Sequence, residues 1–315
     1  MRLVITDNSK VTILLATFNR AHLIVETLKS IQNQTYDNFE CLITDDNSAD
    51  DTEAVVKKFI DTDDRFLYFK KPEKYPQGLS ATRNFGLDLA EKRKSEFIQF
   101  FDDDDIMHPQ KLELQMKPLI ANPKLDLTIC MYRKFHELET IEFDLEKADN
   151  NTCNINSDDI LKSFYLNNFN LNSPGPIWRL SSLNRHRFDE GLFYAEEREF
   201  YLRVFLLESI EYRPVEKVLF WYRKHAKAIT TNLYPNPKIK AQSEALFQSN
   251  FLKLVLCQKS PPFYIVKSYV KIALKNDKSE FLDDIQHFLI KPANLIRIKF
   301  LALLIYIKLI KTFKK

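Results

Sequence analysis

The sequence predicts an α/β fold: a mostly parallel central sheet flanked by helices, followed by a helical C-terminal extension. Three observations carry that prediction. Short apolar runs alternate with amphipathic helical spacing through the first 135 residues. Polar clusters close several of those runs. Beyond Lys224 the pattern turns helical alone. Strands that alternate with helices form βαβ units, because parallel neighbours need a crossover long enough to hold a helix.

The first strand is Val11–Thr17, and Leu23–Gln32 follows with apolar residues at helical spacing. Phe39–Thr44 is the second strand and Thr52–Phe59 the second helix, with Ser48 or Asp50 available as its cap. Phe66–Phe69 is a third strand, and Ser80–Ala90 a third helix. Phe97–Phe101 and Leu127–Met131 are strands on either side of a helix over Pro109–Ile120, where Pro109 suits a helix start. Residues 136–195 are irregular and rich in Asn, as in Asn167–Gly175, which fits a wall laid over the active rim. Helices are expected near 237–257, 261–275, 278–288 and 294–313. The division expected is 1–230 for the α/β domain, in two parts of about 1–135 and about 136–230, and 231–315 for the helical extension.

In such sheets ligands bind beyond the carboxyl ends of the strands. That rule puts Thr17, Phe18 and Asn19, the run Asp45-Asp46-Asn47-Ser48, and the run Asp102-Asp103-Asp104-Asp105 on one rim. Four successive carboxylates repel one another. A divalent cation held by oxygen ligands would offset that cost, and Asp102 and Asp104 alternate onto one side of an extended segment. A solvated acidic turn, or a cap cluster for the following helix, explains the same run on its own. Asp46 can accept hydrogen bonds from a nucleobase or ribose, and Phe18 can stack on a base or sit in the core. Arg83, in the first turn of its helix, can face phosphate or sugar.

The net charge of +3 is an average of unlike parts. Residues 291–315 carry seven basic residues and no acidic one, which leaves 39 basic against 43 acidic residues, a net of −4, for residues 1–290. A nucleic-acid surface spread over the fold is therefore not expected. Cys41, Cys130, Cys153 and Cys257 lie far apart and read as reduced thiols, not a disulfide framework or a zinc site. The N-terminal segment has no secretory signal pattern. Near the other end, Phe300–Ile307 is apolar, but eight helical residues span only about 12 Å against a hydrocarbon core of about 30 Å. At about 100° per residue, Arg297, Lys308, Lys311 and Lys315 share one stripe, into which Leu304 also falls. An interfacial helix and a helix packed on the body both fit that pattern.

Several of these segments, taken together, resemble family 2 glycosyltransferases with the GT-A nucleotide-diphospho-sugar transferase fold. They are Val11–Arg20, Ser30–Glu40, Asp45–Thr52, Gly78–Gly86, which is similar to the family's Gly-x-x-x-Ala-Arg-Asn-x-Gly, and Asp102–Pro109, which is similar to its Asp-x-Asp-Asp metal motif. The resemblance covers about residues 8–230, and five matches in order are far more specific than any one. It departs from the pattern at Ala16, Asn47, Ala49 and Thr82, none of which removes a reacting group. The resemblance implies that Thr17, Phe18, Asn19, Asp46, Arg83, Asp102 and Asp103 form the donor nucleotide site, with Phe18 stacking on the base and Asp46 bonding to it. It implies that Asp104, with Asp102, holds Mn2+ or Mg2+.

Ala195–Arg203 resembles the family's Glu-Asp-x-Glu-x-x-x-Arg helix start, with Glu197 where the general base of inverting members stands and Glu196 as its rival. A solvated acidic first turn is the plain alternative. Trp221–His225 is similar to the family's Tyr-Arg-x-His segment, so that Arg223 or His225 would face the departing diphosphate. Trp178 is placed either as a sugar platform or in the core.

The function implied is an inverting, metal-dependent transfer from a nucleotide-sugar donor, UDP-linked, to a hydroxyl of a saccharide or lipid-linked saccharide in bacterial surface polysaccharide or lipooligosaccharide synthesis. With the basic tail, it places the chain in the cytoplasm, peripheral on the inner face of the cytoplasmic membrane. Two other readings stand beside it: a nucleotide-sugar-binding protein that has lost catalysis, and an interaction module in which the first half is a scaffold for the tail.

Overall fold

A computed structural model describes residues 9–136, 139–146, 153–224, 236–276, 278–291, 294 and 297–313. The chain forms two compact units, Met1–Lys240 and Ala241–Lys315.

The first unit is built on an eight-stranded sheet. Its strands are β1 (Val11–Thr17), β2 (Phe39–Asp45), β3 (Phe66–Lys70), β4 (Phe97–Asp102), β5 (Ile106–Met107), β6 (Leu127–His136), β7 (Pro176–Arg179) and β8 (Tyr212–Lys224). They lie in the order β3-β2-β1-β4-β7-β6-β8-β5. β1 pairs parallel with β2 and β4, β2 with β3, and β6 with β8, whereas β7 and β5 pair antiparallel with their neighbours. Every residue of β1 and β2 is buried, which explains why these strands read as unbroken apolar runs and not as alternating ones. The helices of this unit are α1 (Ile24–Gln32), α2 (Thr52–Ile60), α3 (Leu79–Lys92), α4 (Lys111–Ala121), α5 (Ile160–Tyr165) and α6 (Glu196–Leu207).

One core cluster joins Ile13, Leu15 and Ile43 of the sheet to Ile24, Leu28 and Ile31 of α1 and to Leu112 and Met116 of α4. Trp178 lies in the same sheet, fully buried, with its ring stacked nearly parallel to that of Tyr201 of α6 at 6.0 Å. The expected strands and helices of residues 11–131 are all present, within a few residues. The irregular segment instead contributes β7 and α5, and β6 runs on to His136 past a register shift at Met131. Four-residue β7 carries a Pro and borders a Gly, so its propensity is weak and its pairing with β4 and β6 defines it.

The second unit is helical. Beyond α7 (Pro237–Leu256), which begins before it, it contains α8 (Phe263–Lys275), α9 (Ser279–Leu289) and α10 (Ile298–Phe313). Tyr269 meets Phe281 edge-on, and Phe300 of α10 packs against Phe263 and Phe288. Leu304 is buried, so the stripe that it shares with Arg297 and Lys308 turns partly inward. The outward stripe of α10 is instead apolar: Ile298, Leu301, Ile305 and Leu309 are exposed at helical spacing, beside exposed Lys299 and Lys308.

Candidate functional site

The register of the sheet brings the rim residues together. Thr17 is level with Asp45, and Ala16 with Asp102, so β1, β2 and β4 end side by side. Beyond those ends lies a cleft of about 1080 Å³, lined among others by Thr17, Phe18, Asp46, Arg83, Asp102 and Asp104, and by Glu196 and Glu197 from α6.

Asp45 does not enter it. Its carboxylate accepts the Ser48 N–H at 2.8 Å and the Tyr68 hydroxyl at 2.7 Å, closing the turn after β2. Asp46 does enter it, and one of its oxygens accepts the Gly78 N–H at 2.8 Å. The other is ion-paired with Lys71, which is fully buried and also donates to the Pro76 carbonyl at 2.6 Å. The pairing of Asp45 with Lys70 puts the next residue of each strand in reach of the other. Lys71 was not foreseen, because nothing in one sequence says which lysine follows the strand beside β2. Gly78 caps α3 at φ 134°, a backbone that L side chains rarely adopt.

Phe18 is 39% exposed, so it is not a core residue. Asn19, at φ 54°, does not line the cleft: it receives the Ala49 N–H on its side-chain oxygen at 2.8 Å and donates its own N–H to Ser48 at 2.8 Å. It ties the end of β1 to the turn after β2 through its N–H and its side-chain oxygen.

Arg83 is buried, not a solvated surface residue. One guanidinium nitrogen lies 2.8 Å from Asp102 and 2.8 Å from Glu197, and the neighbouring carboxylates raise its already high pKa against the opposing effect of burial. Burial pushes Asp102 up to about 6, with Arg83 pulling the other way, and pushes Asp103 up to about 7. Asp103 faces Arg20 at 3.3 Å, while its carbonyl accepts the Thr27 hydroxyl at 3.1 Å. Asp105 is fully buried and accepts the Arg223 N–H at 2.9 Å.

The Arg223 guanidinium donates to the Asp104 carbonyl at 2.7 Å and to Glu26 at 2.6 Å, over the Phe135 ring. It is a buried clamp on the acidic run and does not line the cleft, which corrects its expected place at a diphosphate. Its rival for that place, His225, lies outside the described residues. Trp178 is likewise corrected: with no exposed face it serves the core, not a sugar.

Glu197 is held at both ends, by Arg83 on one oxygen and by the Ser173 N–H at 3.3 Å on the other, yet its side chain stays 29% exposed in the cleft. Glu196 is more deeply buried, and burial raises its pKa.

Asp102 and Asp104 suit a small hard cation. They are carboxylates at one cleft, and the second oxygen of Asp102 has no protein partner among the described residues. A magnesium or manganese ion completes such a shell with water and phosphate oxygens. No group of three or more His, Cys, Asp or Glu side chains forms a cage by itself among the described residues.

Comparison with known proteins bears on the family and the fold. A glucosyltransferase of Campylobacter jejuni, named GalNAc(5)-diNAcBac-PP-undecaprenol beta-1,3-glucosyltransferase, is 31% identical over 200 residues. That alignment takes in 64% of this chain and 61% of the relative, so the chain spans about six tenths of the relative's length. Among solved structures, S. aureus TarS residues 1–349 in complex with UDP superposes with a TM-score of 0.59 at 15% identity, over 97% of this chain and 92% of that one. Glucosyl-3-phosphoglycerate synthase of Mycobacterium tuberculosis, solved with Mn2+, UDP-glucose and phosphoglyceric acid, gives 0.52 at 15% identity over 76% and 79%. At such identity these two structures speak to the fold alone, and they are GT-A glycosyltransferases. The model of glycosyl transferase family 2 matches residues 12–177, from the first strand to the middle of β7. With its sheet, its rim carboxylates and this match, the chain belongs to glycosyl transferase family 2.

Proposed function

We propose that this chain transfers a sugar from a UDP-linked donor to a hydroxyl of a lipid-linked saccharide, with inversion and with Mn2+ or Mg2+. The observation that carries the reading is a single cleft that gathers Phe18, Asp46, Arg83, Asp102, Asp104 and Glu197. Residues from 1 to about 135 supply its donor half and residues from about 136 to 230 its acceptor half, with β6 across the border. The half-exposed ring of Phe18 stacks on the base, and Asp46, held by Lys71 and Gly78, contacts the base edge. Asp102 lies against ribose or diphosphate. Asp104 and Asp102 hold the divalent cation, which when bound supplies positive charge opposite the departing diphosphate.

Glu197 takes the proton of the acceptor hydroxyl. The freed oxygen pair bonds to the anomeric carbon from the face opposite the nucleotide. The bond to the diphosphate breaks and leaves its electron pair on UDP. Arg83 and the Ser173 amide keep the Glu197 carboxylate aimed while the substrate enters. The lipid-linked acceptor and the bacterial envelope setting rest on the name of the Campylobacter relative. The place of work, at the inner face of the cytoplasmic membrane, rests on the basic tail and the exposed apolar stripe of α10.

A thermal-shift panel tests the donor reading. UDP with manganese should raise the melting temperature by about 4 °C or more, and UDP alone by clearly less. Stabilisation by GDP or CMP in its place would change the donor class. Absence of any metal-dependent nucleotide effect would overturn the reading.

A further inference from the structure

Two lysines that the donor geometry does not use line the same cleft. β6 and β8 run parallel, with Lys134 level with Tyr222 and His136 level with Lys224. Side chains alternate along a strand, so Tyr132 and Lys134 share one face of β6, and Tyr222 and Lys224 share that face of β8. All four line the cleft, whereas Phe135 and Trp221, on the opposite faces of the two strands, are buried in a separate apolar cluster. The lysines thus stand one pair apart on adjacent strands. The Lys224 ammonium lies 4.6 Å from the Tyr222 ring centroid. Burial and the neighbouring Lys134 charge both lower its pKa, with Asp105 opposing them.

Every arginine around the acidic run is already engaged: Arg83 by Asp102 and Glu197, Arg20 by Asp103, Arg223 by Asp104 and Glu26. The two lysines differ. Neither is ion-paired with a carboxylate among the described residues, and two like charges at this spacing are relieved by an anion from outside. β6 and β8 lie beyond β7 in the sheet, on the other side of β4 from β1 and β2, and of the two only β8 touches the acidic run, through Arg223. Asn170 and Asn172 also line the cleft, and the amide of Ser173, next in the chain, holds Glu197.

We propose that Lys134 and Lys224 form a phosphate-recognition subsite on the acceptor side, taking the phosphate ester that joins an acceptor saccharide to its lipid. The proposal rests on the reading of the acceptor as lipid-linked. An ester of this kind meets two ammonium groups as point charges and accepts hydrogen bonds from them, while the adjoining sugar lies toward Glu197.

Farnesyl phosphate and uncharged farnesol, titrated into the full chain saturated with UDP and manganese, test it. The unaltered protein should bind farnesyl phosphate about tenfold or more tightly than farnesol. The double variant Lys134→Ala/Lys224→Ala should lose that preference, with UDP affinity changed by less than about twofold. Lys134→Arg/Lys224→Arg, which keeps the charge, should retain it. Equal binding of both ligands, or a preference that survives the double alanine change, overturns the proposal. Inorganic phosphate binding as tightly as farnesyl phosphate overturns the ester in favour of free phosphate. A fall in UDP affinity in the alanine variant assigns the lysines to the donor diphosphate and overturns it as well. UDP is first titrated alone with manganese, so that a failure of donor binding is read separately, as a failure of the underlying function.

Discussion

At the scale of single residues, the two glutamates that open α6 have unlike surroundings. Glu197 faces the cleft with both oxygens held, whereas Glu196 is nearly enclosed. Glu197→Gln should lower kcat by about 10²–10⁴-fold and leave the donor KM within a few-fold, because it removes a proton acceptor and little binding. Glu196→Gln should cost far less; the reverse order, measured by UDP release with a transferring acceptor, would exchange their roles. Asp104→Ala should abolish manganese-dependent turnover with little change in melting temperature, whereas Asp105→Ala, which strips a buried partner from the Arg223 N–H, should lower the melting temperature. Away from the cleft, Glu40 bonds Lys10 and Arg93, and although burial opposes them, those cations hold its carboxyl down at about 2. A depressed acid stabilises the fold above its unfolded value and loses that contribution as pH falls through its folded value. Denaturant unfolding should therefore find Glu40→Gln less stable than the unaltered protein by about 1–2 kcal/mol near neutrality, allowing for solvent screening. The gap should close between about pH 4.5 and 2, the interval set by its unfolded and folded values.

At the scale of elements, the turn from β3 into α3 shows how local geometry serves the site. Gly78 sits at φ 134° and gives its N–H to Asp46, so one residue both starts a helix and aims a carboxylate. Gly78→Ala should cost about 1–3 kcal/mol in backbone strain and weaken UDP binding together with stability. A variant that kept both would show that the turn tolerates a side chain. The strands β1–β4 and the helices α1–α4 were legible in the sequence, because apolar runs and helical spacing are local signals; the bond from Gly78 to Asp46 was not. The functions of Asn19 and Arg223 were not legible, since both side chains are committed to residues about 30 to 200 positions away. Trp178 shows the same limit from the other side. A tryptophan near Pro and Gly reads equally well as platform or core, and only its complete burial decides.

At the scale of the molecule, charge and apolar exposure are unevenly shared. The first 290 residues are net negative and the last 25 carry seven basic residues, while α10 exposes Ile298, Leu301, Ile305 and Leu309. No helix among the described residues is long and apolar enough to cross a membrane. An amphipathic surface helix beside basic charge partitions onto anionic bilayers. Flotation with phosphatidylglycerol vesicles should carry the protein upward at low salt, and Leu301→Ser/Ile305→Ser should leave it at the bottom; equal flotation of both would remove α10 from membrane binding. A different consequence follows from the Arg223 clamp, whose bonds reach back 118, 119 and 197 positions. Contacts of that separation close late in folding, after the local βα units exist. The family match ends at residue 177, well before the arginine that secures its acidic run. A nascent chain therefore carries every recognisable donor motif for some time before the acidic run is clamped. The contacts that fix the acidic run are complete only when β8 is laid down, so the shape of that run reports on the completion of this unit and not on the presence of its motifs.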